Sequence, residues 1–193
     1  MHHIYHTEAL ILGSRGFGET GKYYFIFTRE LGMIMASAQG VRKISSKLRF
    51  VLQDFSYLNI DLVRGKDFWR ITSCSKKNSL ENLSKRSDTF EVLINISRLL
   101  RRLLAGEDAN KILFDDLVNG FLVLENTKNK VEVQNVEAIM VLRLLNNLGY
   151  VGGGEMIKSL VRSPFEEQLV FEVSKDRAEV LREINKALKE THL

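Results

Sequence analysis

Gly16-Phe17-Gly18-Glu19-Thr20-Gly21-Lys22 has the G-x-x-x-x-G-K spacing that, in a phosphate-binding loop, turns backbone amides toward a nucleotide. That chemistry needs a Ser or Thr hydroxyl after the lysine to ligate magnesium, and a helix opening at the same point. Tyr23 occupies the hydroxyl position, and Tyr23-Tyr24-Phe25-Ile26-Phe27-Thr28 favours a strand. Glu19 would also place a carboxylate among amides meant for phosphate. The segment reads as a glycine-rich hairpin, not as a nucleotide-hydrolysing loop.

Other catalytic chemistry has few candidates. The four histidines, His2, His3, His6 and His192, all lie within a few residues of an end of the sequence. A Ser-His-Asp or Cys-His relay needs an imidazole held by packing, so neither is expected. His2, His3 and His6 read as solvated side chains rather than a metal site, having no distant partner Cys or His. Cys74 is the single cysteine, which excludes an intramolecular disulfide and a multi-cysteine zinc site. Its thiol is expected to be buried or inert. We expect no catalytic residue, no metal, no cofactor and no small-molecule substrate.

Binding chemistry is better represented. In Gly40-Val41-Arg42-Lys43-Ile44-Ser45-Ser46-Lys47-Leu48-Arg49-Phe50, four cations fall within eight residues with no acid among them. Arginine and lysine neutralise phosphates while serine hydroxyls and backbone amides hydrogen-bond their oxygens, so the segment suits a nucleic-acid backbone. Lys22, Arg29, Arg64, Lys66 and Arg70 add positive charge near expected strand ends. Tyr23, Tyr24, Phe25, Phe27, Tyr57 and Trp69 offer faces on which unpaired bases could stack. A small barrel must also fill its interior, and that demand competes for each of these rings.

The elements that would position these residues follow from charge and periodicity. The chain has 193 residues and a formal net charge of +4. Residues 1–86 hold 14 Lys/Arg against 7 Asp/Glu, whereas residues 87–193 hold 14 against 17. The first part therefore suits a polyanion and the second suits another task. Apolar residues alternate in twos up to about residue 76, then recur every three or four from about residue 87. Strands are expected at Glu8–Gly13, Lys22–Arg29, Met33–Gly40, Phe55–Val63 and Phe68–Cys74. Five short strands favour a small closed barrel over a sandwich. Helices are expected from an Asp88/Glu91 capping box to Gly106, over Ala109–Glu125, over Glu132–Leu148 with Gly149 as cap, and from Ser174 onward. The last helix should bury Val180, Leu181, Ile184 and Leu188, and the Gly149–Glu155 segment reads as a flexible break. The expected class is α+β with two domains, a barrel at residues 1–78 and a helical bundle at residues 79–193. No window approaches the ~20 apolar residues of a membrane span, and no signal-peptide core is visible. A cytoplasmic protein is expected.

Read in order, several short pieces resemble the N-terminal part of the bacterial RecO family of DNA repair and recombination proteins. They are Thr7-Glu8-Ala9-Leu10-Ile11-Leu12, Gly18-Glu19 before Lys22, Phe27-Thr28-Arg29-Glu30-x-Gly32, and Ala38-x-Gly40-x-Arg42-Lys43 followed by Ser46-x-Leu48. Leu52-Gln53-x-Phe55 and Leu62-Val63-Arg64-Gly65 complete the run, and Leu148-Gly149-Tyr150 resembles the family's second domain. The resemblance implies an OB-fold barrel, a helical domain and no turnover of nucleotide. It implies binding of single- and double-stranded DNA, annealing of strands, and help in loading RecA together with RecR on DNA covered by the single-stranded DNA-binding protein. Carried over, Lys22, Arg29, Arg42, Lys43 and Lys47 would meet DNA, and Arg49, Arg64, Lys66 and Arg70 join them on charge alone. Many family members carry a four-cysteine zinc module after the Leu-Gly-Tyr segment; here Val151-Gly152-Gly153-Gly154-Glu155 follows. The chain is also shorter than typical members. The rival expectations are a protein-interaction adaptor on an OB barrel and an RNA-binding OB protein.

Overall fold

Gly13 governs how the first strand serves two neighbours. The computed structural model describes residues 3–78 and 80–191; His2 and His192 lie outside the described residues. Strand β1 runs Ile4–Phe17, well beyond the Glu8–Gly13 expected. Its register shifts between Ile11 and Gly13, where Gly13 takes a φ of 141° that a side chain would disfavour. The bulge bends the strand. Its earlier part pairs antiparallel with β4 (Tyr57–Arg64), from Ile4↔Val63 to Leu10↔Tyr57. Its later part pairs with β2 (Gly21–Thr28), including Arg15↔Tyr23.

Strands β3 (Gly32–Ala38) and β5 (Trp69–Asn78) complete a closed barrel in the order β1-β2-β3-β5-β4. All pairings are antiparallel except β3 with β5, a short parallel seam of Ala36↔Trp69 and Ser37↔Arg70. This is the five-stranded OB fold. Ile11, Tyr24, Ile26, Ile34, Ala36, Leu58, Ile60, Leu62, Trp69 and Ile71 fill its interior. The alternation in the sequence marks this face because successive strand residues point to opposite sides.

Among the described residues five α-helices follow a short 3-10 turn: α1 (Ser87–Leu103), α2 (Lys111–Glu125), α3 (Lys130–Asn147), α4 (Glu155–Arg162) and α5 (Glu167–Glu190). By packing, the chain forms two compact units. One comprises Met1–Glu81 with Ser97–Phe114, the other Asn82–Ile96 with Asp115–Leu193. In the first unit, the Phe114 ring lies 5.6 Å from Phe27, and the Arg101 guanidinium lies 3.9 Å from the centroid of Phe25. The Met33 amide donates to the Gly106 carbonyl at 3.2 Å. Gly32, with φ of 72°, lets the backbone of Asp108 approach; a Cβ there would stand 2.2 Å from the Asp108 oxygen.

In the second unit, Phe121, Leu124, Val136, Ile139, Leu144, Val173 and Val180 are buried. Arg143 is buried too. Its guanidinium donates to Asp116 at 2.8 Å, to the Leu160 carbonyl at 2.9 Å and to the Ser163 carbonyl, tying α2, α3 and the end of α4 together. Three expectations change here. Helix α1 opens at Ser87, one residue before the expected cap, and Asp88 directs its carboxylate to the Thr89 amide at 2.8 Å and to Arg86 at 2.9 Å. The Gly152-Gly153-Gly154 segment leads into α4, a helix the glycines hide in the sequence; a Cβ on Gly153 would lie 2.6 Å from Ile157. Helix α5 starts at Glu167, is kinked at Asp176, and buries Val180, Ile184 and Ala187 while Leu181 is exposed.

Candidate nucleic-acid interface

The basic segment forms the long connection between β3 and β4, and its apolar residues fix it to the barrel. Val41 and Leu52 are buried in the barrel core, and Leu48 packs against it. The Arg42 amide donates to the Thr20 carbonyl at 2.9 Å, and the Ser46 amide to the Lys43 carbonyl at 3.0 Å. A short 3-10 helix, Lys47–Phe50, follows. Spacing the anchors at 41, 48 and 52 leaves Arg42, Lys43, Lys47 and Arg49 exposed between them. The loop presents its four cations to solvent, with Ile44 and Phe50 exposed among them, and anchors to the barrel through Val41, Leu48 and Leu52.

At one mouth of the barrel, Lys22, Arg42 and Arg49 line a pocket of about 270 Å³ together with Tyr24, Val41, Leu52 and Gln53. Lys22 is half-buried and its ammonium donates to the Ser14 hydroxyl at 3.3 Å. The lining holds three cations and no carboxylate. Such a recess favours an anion, because field lines concentrate between low-dielectric walls.

The remaining candidate cations differ in surroundings. Lys66 and Arg70 are exposed at the β4–β5 turn, which the Gly65 amide closes onto the Phe68 carbonyl at 3.1 Å. Arg64 pairs with Glu107, and its guanidinium lies 4.9 Å from the Trp69 ring centroid. The hydrogen bond from Arg64 holds the Glu107 carboxyl below its ordinary range; partial burial opposes this, and the Trp69 indole N–H adds to it. Arg29 pairs with Glu30 at 3.5 Å and lines a separate pocket shared with His6, Glu8, Glu30 and Asp61. It stands among carboxylates.

The aromatic candidates sort by burial. Tyr24, Phe27, Tyr57 and Trp69 are buried, so they pack rather than present faces to solvent. Phe25 lies beneath Arg101. Tyr23 stays accessible, beside two rings that the reading of the sequence did not single out. Phe17 lies 4.6 Å from Tyr23, and Phe68 lies 5.0 Å from it, centroid to centroid. Arg15, also unanticipated, sits 5.5 Å over the Tyr23 ring. A longer β1 would have revealed both Arg15 and Phe17, since the register sets Arg15 against Tyr23.

The G-x-x-x-x-G-K segment is a hairpin between β1 and β2, with Gly18 at φ of 55° in the turn and a strand after it. Burial pushes the Cys74 thiol up to about 11, so it is protonated and unreactive at neutral pH. His6 pairs with Asp61 at 2.6 Å. Among the described residues no group of three His, Cys, Asp or Glu side chains is placed to hold a metal ion. Among them also, no helix is long and apolar enough to cross a membrane.

Comparison with known proteins agrees with this geometry. Residues 1–80 match the family model for the N-terminal part of recombination protein O. The DNA repair protein RecO of Clostridium novyi is 29% identical over 147 residues, covering 76% of this chain and 57% of that protein. The protein of the same name in Heliobacterium modesticaldum is 31% identical over 147 residues, covering 76% of this chain and 52% of its own length. The chain thus spans little more than half the length of these curated relatives.

Proposed function

The resemblance to RecO read from the sequence holds, and from that premise we propose that the chain is a non-enzymatic DNA-binding mediator of recombinational DNA repair in the RecF pathway. Residues 1–78 would act as the nucleic-acid-binding domain and residues 79–193 as the helical domain. The chain would bind single- and double-stranded DNA, anneal complementary strands, and with RecR help load RecA on strands held by the single-stranded DNA-binding protein. The observation that carries this reading is the acid-free recess of Lys22, Arg42 and Arg49, continued along the loop by Lys43 and Lys47.

The physics of annealing fits such a surface. Phosphate contacts neutralise strand charge and release counterions, which makes binding salt-sensitive and indifferent to sequence. Two strands on one positive surface repel each other less, and their base edges stay free to pair. Arg29 and Arg64, each facing a carboxylate, would contribute less than the loop.

Neutralising Arg42, Lys43 and Lys47 together tests the reading. These side chains are exposed, so each substitution should cost stability only within ~0.5 kcal/mol. Affinity should fall by similar factors for unrelated DNA sequences, and log affinity against log salt should become shallower by roughly 2–3 units. An unchanged slope and affinity in a folded triple variant would favour a protein adaptor instead. Titration with RNA of the same sequence separates a DNA protein from an RNA-binding barrel.

A further inference from the structure

We propose that Phe17, Tyr23 and Phe68 form a platform on which unpaired bases stack, an inference that rests on the DNA-binding reading and narrows it toward single strands. The three rings come from different parts of the barrel: the end of β1, the third residue of β2, and the turn before β5. Phe17 and Phe68 each lie against Tyr23, their centroids 4.6 and 5.0 Å from its own, with the planes tilted by 49° and 53°. Rings brought together only to fill a core would be buried. Here Phe17 is 48% exposed and Phe68 37% exposed. A barrel that buries Tyr24, Phe27, Tyr57 and Trp69 nevertheless leaves these apolar faces in water.

The neighbourhood suits a nucleotide better than an apolar partner. Arg15 lies 5.5 Å over Tyr23, and Lys66 and Arg70 flank Phe68 in the chain. An apolar partner would have to desolvate these cations without pairing them, whereas a nucleotide supplies a π-face for the rings and a phosphate for the charges. Glu19 and Asp67 lie in the same two turns, so this region is less positive than the β3–β4 loop. Its contribution is therefore stacking more than phosphate neutralisation. Phe25, two residues after Tyr23 in β2, is covered by Arg101 and takes no part. A duplex keeps its bases stacked on one another and offers no such face along its length. Stacking on the π-face also leaves the pairing edge of a base open to a complementary strand.

The test is a Phe17→Ala/Phe68→Ala variant of the full chain, titrated with oligothymidylate and with a duplex of equal length at two salt concentrations. Stacking predicts a loss of single-strand affinity of roughly 5- to 100-fold per ring, with duplex affinity and both salt slopes unchanged. Unchanged single-strand affinity, or an equal loss on both DNAs, would overturn the platform. Should the double variant melt early, Phe17→Trp supplies a second readout. Its added indole emission should be quenched by oligothymidylate and not by the duplex; emission indifferent to the single strand would overturn the proposal. A wild-type chain that binds no DNA refutes the underlying reading. One that binds single strands as tightly as both variants refutes the platform alone.

Discussion

Arg42 and Arg64 carry the same charge but meet different company. Arg42 is exposed on a loop without a carboxylate in its recess, whereas Arg64 is paired with Glu107. A polyanion approaching Arg64 must compete with that carboxylate, so few counterions are released there. Arg42→Ala should make the salt slope shallower by about one unit and Arg64→Ala by clearly less, measured by titration at several salt concentrations. The charges themselves were legible in the sequence, and so was the clustering at 42–49. What cancels Arg64 was not, because Glu107 lies 43 residues away and meets it only where the segment after α1 packs back in the barrel's unit. The same holds for the aromatics: composition marks rings that suit a sheet, but only the register separates the accessible Tyr23 from the buried Tyr24 beside it.

At the scale of elements, the short loop at Gly32 sets how closely the segment after α1 can approach β3. Gly32→Ala would combine a φ of 72° with a Cβ 2.2 Å from the Asp108 oxygen. Backbone strain and a clash against backbone, which cannot rotate away, should cost about 2–4 kcal/mol, read as a lower midpoint in denaturant. Strand positions were largely readable because alternation survives along β3 and most of β4. Two features escaped. The extension of β1 past Gly13 depends on a bulge that breaks the alternating pattern, and α4 follows three glycines that mask a good helical segment in which Ile157 and Leu160 are buried. In α3, Asn129 accepts the Glu132 amide at 3.0 Å as the cap, so the helix starts at Lys130, two residues before the Glu132 that periodicity suggested.

For the molecule as a whole, the compact unit that contains the barrel is not a contiguous stretch of chain. Residues Ser97–Phe114 pack as part of the barrel's unit, where Phe114 meets Phe27 and Arg101 covers Phe25. A fragment ending at residue 81 should therefore melt at a lower temperature than one ending at residue 114, and should bind more of a dye that reports exposed apolar surface; thermal scans of the two fragments check this. Periodicity located the change from strand to helix but could not show that a later helical stretch returns to the barrel, since no local pattern encodes that packing. The discontinuity has a consequence in time. Chains leave the ribosome at about 5–20 residues per second, so the five strands emerge on the order of a few seconds before Phe114 does. During that interval a nascent barrel can pair its strands while Phe27, which points away from the interior, still lacks its cover. That is the window in which a chaperone, or the same patch on a neighbouring nascent chain, would meet it first.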